Sequence, residues 1–183
     1  MPRLFTALPL PDDVRTELTG LRGGLRGARW IDPENYHITL RFIGDVDERI
    51  ADEVAFTLSR IRRAPLQIRL AGLGSFGSKK PHSVWARVEP SQGLSDLQGE
   101  QERALQRIGL PAEPRRFKPH VTLARVRGVS QRDVADYLAL RGGVFLPPFT
   151  ADHFDLLSSR DSVGGGPYVT EERYELGLVP AAA

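Results

Sequence analysis

The sequence has no cysteine, a single methionine and, among 183 residues, only three lysines: Lys79, Lys80 and Lys118. The first absence excludes disulfides, a thiolate nucleophile and any zinc site with sulfur ligands. It also suits a reducing cytoplasm, the expected location. Long apolar runs are missing as well. None approaches the ~18 residues that a membrane span needs, so no membrane association is expected. The opening "MPRLFTALPLPDDV" has one arginine, then apolar residues interrupted by Pro9 and Pro11 and followed by acids. That reads as a strand entering a turn, not as a signal peptide. Charge of one sign is also scarce: the formal net charge is +2, so the whole-molecule field argues only weakly for a polyanionic partner. There is no Gly-x-Ser-x-Gly nucleophile elbow and no His-Glu-x-x-His or His-x-x-x-His metal spacing. The glycine-rich "GGGP" (164–167) lacks the Lys-Ser/Thr of a phosphate-binding loop.

What is present is a mixture of short strands and helices. Strands are expected over 3–10, 28–32, 36–44, 65–77, 83–90, 117–126, 149–160 and 168–179. Helices are expected over 10–25, 45–63, 92–109 and 130–140. In the second helix Val46, Ile50, Val54, Leu58 and Ile61 form an apolar stripe at helical spacing, which predicts core packing. In the third, Leu94, Leu97, Leu105 and Ile108 do the same. Asp12 and Asp13 suit the positive end of the first helix, and Ser130 suits the N-cap of the fourth. The glycine-rich "DSVGGGP" is read as a flexible connection between the last two strands. No strict βαβ alternation occurs, so the expected class is α+β with mostly antiparallel pairing.

One pattern stands out from this background. "YHITLRFIG" (36–44) and "PHVTLARV" (119–126) share His-x-Thr-Leu, with His37 and Thr39 in one and His120 and Thr122 in the other. The chain holds four histidines and eight threonines. Chance would give two such pairs about 1% of the time, and the shared leucine and strand context lower that further. Each copy is followed by a helix, so the halves look duplicated. On a strand, residues two apart share a face, so each threonine stands beside its histidine. Imidazole titrates near neutrality and can take or give a proton. Two imidazoles on one pocket can do both, and the hydroxyls can donate to phosphate oxygens on which charge grows. The chemistry suited is in-line displacement at a phosphodiester without a metal ion. Asp155 or His153 could in principle add a metal ligand, but no metal and no cofactor are expected.

The doubled motif resembles the two-histidine (2H) phosphoesterase superfamily, and within it the RNA 2′,3′-cyclic phosphodiesterases, also called 2′-5′ RNA ligases. "RLFTALPLPDDV", "RWIDPENYHITLRFIGDVDE", "GSFGSKKPHSVWARV" and "FKPHVTLARV" carry the resemblance over nearly the whole chain. It implies a single domain, residues 1–183. The domain would be bilobal, with two pseudo-twofold-related sheets facing a central cleft, helices outside, the two lobes intertwined and one motif per lobe. It implies hydrolysis of a terminal 2′,3′-cyclic phosphate of RNA to a 2′-phosphate. His37 would be the general acid, His120 the general base, and Thr39, Thr122 and Arg125 would hold phosphate oxygens. Partners would be RNA ends with a cyclic phosphate or small cyclic nucleotides, and the protein a monomer. The alternatives are a reversible 2′-5′ ligase or transesterase and a non-catalytic RNA-end binding module. Intact His and Thr in both motifs argue against the last.

Alternation places Arg125 opposite His120 unless the strand is bulged or ends there. It places Arg41 on the face of His37, at the cleft mouth or on a solvated strand end. It places Phe42 with the core, with base stacking as the alternative. Lys79 and Lys80 read equally as RNA-backbone contacts and as solvated loop residues. His82 reads as a loop residue, His153 as a sheet-face residue, and Trp30 and Trp85 as core or cleft-wall aromatics.

Overall fold

A computed structural model describes residues 2–159 and 166–177. In chain order the elements are β1 (Arg3–Pro9), α1 (Asp12–Thr19), β2 (Ala28–Trp30), a 3₁₀ turn (Pro33–Asn35), β3 (His37–Asp45), α2 (Glu48–Leu58), β4 (Leu66–Ile68) and β5 (Leu70–Phe76). They continue with β6 (Ser83–Val88), α3 (Gln92–Arg107), β7 (His120–Val126), α4 (Gln131–Arg141), β8 (Phe149–Ala151), β9 (His153–Ser159) and β10 (Tyr168–Glu175). The fold is α+β. One four-stranded sheet has the order β10-β9-β1-β3, a second has β2-β7-β6-β5, and β4 pairs with β8 in a two-stranded ribbon. Every strand pair among the described residues is antiparallel.

The first three helices are shorter than their apolar patterns, for local reasons, whereas α4 has the expected length. α1 ends at Thr19, and the chain then turns through Gly23 and Gly24, both at positive φ (90° and 77°), which costs little only without a side chain. α2 starts where the Asp47 carboxylate accepts from the Ile50 amide at 2.8 Å, a cap that fixes the first turn. Ser130 caps α4 as expected, accepting from the Asp133 amide at 3.1 Å. Two expected strands are each split, at Arg69 and at Asp152, because β4 and β8 leave the main sheets to pair with each other. Most of "DSVGGGP" lies outside the described residues. The strands on either side of it, β9 and β10, pair directly.

The stripes on α2 and α3 enter the main core. Val54 and Leu58 of α2, Val46 and Ile61 just outside its ends, and Leu94, Leu97 and Leu105 of α3 are buried among Leu8, Ile38 and Leu40 of the first sheet and Val88, Val121 and Leu123 of the second. At about 1.5–3 kcal/mol for each fully buried aliphatic side chain, this shared core holds both sheets to one set of helices. A smaller cluster around Val84, Ala124, Val134 and Tyr137 seats α4 on the second sheet. A buried hydrogen bond of 2.6 Å from the Thr6 hydroxyl to Gln101 Oε1 joins β1 to α3.

Candidate active site

His37 opens β3 and His120 opens β7, and the chain two residues upstream anchors each ring in the same way. His37 Nδ1 lies 2.8 Å from the Asn35 carbonyl oxygen, and His120 Nδ1 lies 2.6 Å from that of Lys118. A carbonyl oxygen only accepts, so Nδ1 carries the hydrogen in both rings and Nε2 is the nitrogen left to exchange a proton. Thr39 Oγ1 lies 3.0 Å from His37 Nε2 and donates to it while the ring is neutral. Among the described residues no matching bond joins Thr122 to His120.

Both rings, both threonines and Arg125 line one cleft of about 990 Å³. Aromatic side chains wall in each imidazole. Phe5 and Tyr168 lie 5.2 Å from the His37 ring, centre to centre. Phe76 and Trp85 lie 4.9 and 5.6 Å from the His120 ring. Trp85 lies flat because Gly74, its cross-strand neighbour, has no side chain: a Cβ there would sit 2.4 Å from the indole. Burial pushes the His37 pKa down to about 4, against the pull of the Asn35 carbonyl, and the His120 and Arg125 charges add to the depression. His120 is also lowered, by burial first and then by Arg125 and Lys118. At neutral pH both rings are therefore uncharged in the free protein.

The face that each side chain takes is set by a pair of bulges. Along the β1–β3 ladder Thr6 pairs with Arg41 but Ala7 with Thr39, so Leu40 is an extra residue. Along β6–β7, Val84 pairs with Ala124 but Trp85 with Thr122, so Leu123 is extra. Both extra residues stand three places after the histidine. One inserted residue resets the alternation, which brings the fifth residue after each histidine back to the cleft. Arg125 therefore reaches the cleft on the side of His120, and Phe42, 40% exposed, does so on the side of His37. Alternation alone had placed both on the opposite face.

The same bulge corrects Arg41. It is 4% exposed and turned away from the cleft. Its guanidinium pairs with Glu102 and donates to the Phe42 carbonyl and, at 2.5 Å, to the Pro111 carbonyl. Lys79 and Lys80 are exposed in the β5–β6 turn and do not line the cleft; Gly77 and His82 of that connection do. The lysine at the cleft is Lys118, whose ammonium lies 5.0 Å from the Trp85 ring centre and 5.6 Å from that of Phe76. Trp85 is a buried residue behind His120 and does not itself line the cleft, and Trp30 packs on Tyr137 at 5.8 Å. Asp155 is occupied by Arg173, at 3.0 and 3.2 Å. Away from the cleft, Asp152, His153 and Glu175 bring one donor atom each within 4.8 Å of one another, the one group among the described residues with the composition of a cation site. The Asp152–His153 contact of 2.6 Å accounts for two of these atoms as a hydrogen-bonded pair.

Sequence reasoning passed over Phe5, Phe76 and Tyr168, because an aromatic residue on a strand is ordinarily core. It also passed over Arg115 and Arg116. The available signal was the run "RRFK", immediately before the second motif.

Comparison with known proteins agrees with this duplicated geometry. The model of the "LigT like Phosphoesterase" family matches the chain twice, over residues 8–86 and 87–168. An Aeropyrum pernix protein named RNA 2′,3′-cyclic phosphodiesterase is 44% identical over 100 residues, which are 54% of this chain and 57% of that protein. An Aquifex aeolicus protein of the same name is 31% identical over 155 residues, 82% of each chain. The crystal structure of E. coli LigT complexed with 3′-AMP superposes with a TM-score of 0.74 at 25% identity, covering 96% of this chain and 99% of that one. With each half matched separately and both motif strands opening on one cleft, this chain belongs to the LigT like phosphoesterase family.

Proposed function

We propose that this protein hydrolyses the terminal 2′,3′-cyclic phosphate of RNA, or of small cyclic nucleotides, to a 2′-phosphate. The observation that carries the reading is the matched pair of imidazoles: each is anchored through Nδ1 to a main-chain carbonyl, and both line a single cleft. The named activity of the relatives and the 3′-AMP bound to LigT support the substrate class. In the proposed reaction His120 Nε2 takes a proton from water, whose oxygen forms the new bond to phosphorus. The bond from phosphorus to O3′ breaks, and His37 Nε2 gives its proton to the departing O3′. Phosphorus stays on O2′. Arg125 and the hydroxyls of Thr39 and Thr122 hold the non-bridging oxygens as charge builds on them.

The acid form of His37 is scarce in the free protein because burial disfavours charge there. A phosphodiester anion between the rings reverses that balance by favouring imidazolium. Thr39 must release His37 Nε2 to donate to the phosphate, which frees that nitrogen for its proton. Base, acid and charge neutralisation are all supplied by side chains, so the proposed reaction is metal-independent. The whole chain would act as one domain of two intertwined lobes, as a monomer in the cytoplasm; no helix of the described residues is long and apolar enough to cross a membrane.

The test is turnover of a short RNA with a 2′,3′-cyclic end in excess EDTA, with the product identified. A 2′-phosphate is expected, and His37→Ala and His120→Ala should each lose at least ~100-fold in rate, the usual size of acid–base catalysis. A 3′-phosphate product, loss of activity to the chelator, or survival of activity in both variants would contradict the proposal.

A further inference from the structure

One wall of the cleft carries much more free positive charge than the other. On the wall built by the α3–β7 connection, Arg115, Arg116 and Lys118 line the cleft within four residues of chain. Arg116 has no acidic partner among the described residues. Arg115 pairs with Glu113 at 3.1 Å, but its side chain is largely exposed, so that pair is weak and exchangeable. On the first-sheet wall the cation is Arg3, and Asp45 neutralises it at 3.0 Å. The remaining side chains there are neutral or aromatic, Asn35, Phe42 and Tyr168 among them.

The charged wall is irregular in backbone yet firmly held. Residues 110–119 form neither helix nor strand. Arg41 grips them through the Pro111 carbonyl, and Glu102 Oε1 accepts from the Glu113 amide at 3.0 Å. The Pro119 carbonyl accepts from the Val88 amide at 3.3 Å, and Phe117 packs on the main core. Pro111, Pro114 and Pro119 further restrict the chain. Arginines on a pre-ordered extended segment lose little freedom on binding. The segment also runs directly into the carbonyl that anchors His120. At ~3.6 Å per residue, Arg116 stands at most about 14 Å along the chain from that histidine.

We propose that this segment is a track for the RNA backbone upstream of the reacting end, contacting its phosphates through Arg115 and Arg116, and that it makes the enzyme prefer an oligonucleotide end to a mononucleotide. This rests on the cyclic-phosphate reading above and names the substrate that reading leaves open. Arg41 and Glu102 are positioning residues for the track.

The experiment compares kcat/KM for a short cyclic-ended oligoribonucleotide with that for a 2′,3′-cyclic mononucleotide, across a tenfold range of KCl. The wild type should favour the oligonucleotide, and R115A/R116A should lower that preference about tenfold, as expected for two exposed charge contacts. Each phosphate contact on a single strand contributes about −0.7 to the log–log salt slope, so the double variant should flatten it by about 1.4. K79A/K80A removes the same charge away from the cleft and should leave the preference in place. An equal effect of K79A/K80A would assign the preference to the general field and overturn the track. So would equal losses by R115A/R116A on both substrates, or the absence of any oligonucleotide preference in the wild type. If no cyclic phosphate is turned over, the catalytic reading fails. The track is then judged by fluorescence anisotropy with the same oligonucleotide, and unchanged affinity and salt slope in R115A/R116A would overturn it.

Discussion

Acidifying the free protein from neutrality to about pH 4 should cost it about 3 kcal/mol of folding stability through His37 alone. The ring is held neutral by burial, with its pKa lowered to about 4; in the unfolded chain it returns to the ordinary value near 6.5. Between those two values the unfolded state binds more protons than the folded one, so stability falls as pH falls through the window. It is fully present above about 6.5 and levels off below about 4. A displacement of this size is worth roughly 3 kcal/mol at ~1.4 kcal/mol per tenfold, a large share of the 5–15 kcal/mol typical of a domain. His120 adds in the same direction. The assay is a set of urea titrations at successive pH values on the wild type and His37→Gln. The variant should lose about 3 kcal/mol less across the window. Equal pH dependence in the two proteins would refute the burial argument, and with it the claim that His37 acquires its proton only beside an anion.

Two further substitutions test how the site is built. Gly74→Ala places a Cβ 2.4 Å from the Trp85 indole and so must move the ring that lies under His120. It should cost about 1–3 kcal/mol in stability and lower kcat/KM by one to two orders of magnitude, since misplacement of about 1 Å can cost 100-fold; tryptophan fluorescence and kinetics check this, and unchanged values for both would contradict it. Arg41→Ala removes a buried guanidinium from Glu102 and from the Phe42 and Pro111 carbonyls, while Glu102 keeps its bonds from Gln106 and the Glu113 amide, and should destabilise by about 1–3 kcal/mol. Arg49→Ala, which removes a largely exposed pair at 3.8 Å, should stay within about 0.5 kcal/mol in the same urea titrations.

The motif strands were legible because imidazole and hydroxyl recur two residues apart within apolar runs, and the core stripes of α2 and α3 were legible from their spacing. The bulges were not. "TLRF" and "TLAR" read the same with or without an extra residue in the ladder, yet that residue decides whether Arg41 or Phe42 sees the cleft. Helix ends were overestimated in the first three helices because apolar residues such as Leu21 and Ile61 continue the pattern where α-helical hydrogen bonding has given way to tighter turns, Leu21 N–H to the Leu18 carbonyl and Ile61 N–H to that of Leu58. The sequence could not choose between the two readings of Lys79 and Lys80 for a related reason. Composition shows charge but not address, and Lys118 rather than Lys79 or Lys80 lines the cleft, against Phe76.

The pH dependence of kcat/KM, measured on a cyclic-phosphate substrate for the wild type and the two histidine variants, tests the paired imidazoles most directly. The wild type should give a bell with its maximum below about 6.5, since both rings are depressed in the free enzyme. His37→Ala should lose the alkaline limb and His120→Ala the acidic limb. A profile in which both variants keep both limbs would contradict acid–base catalysis by these two residues.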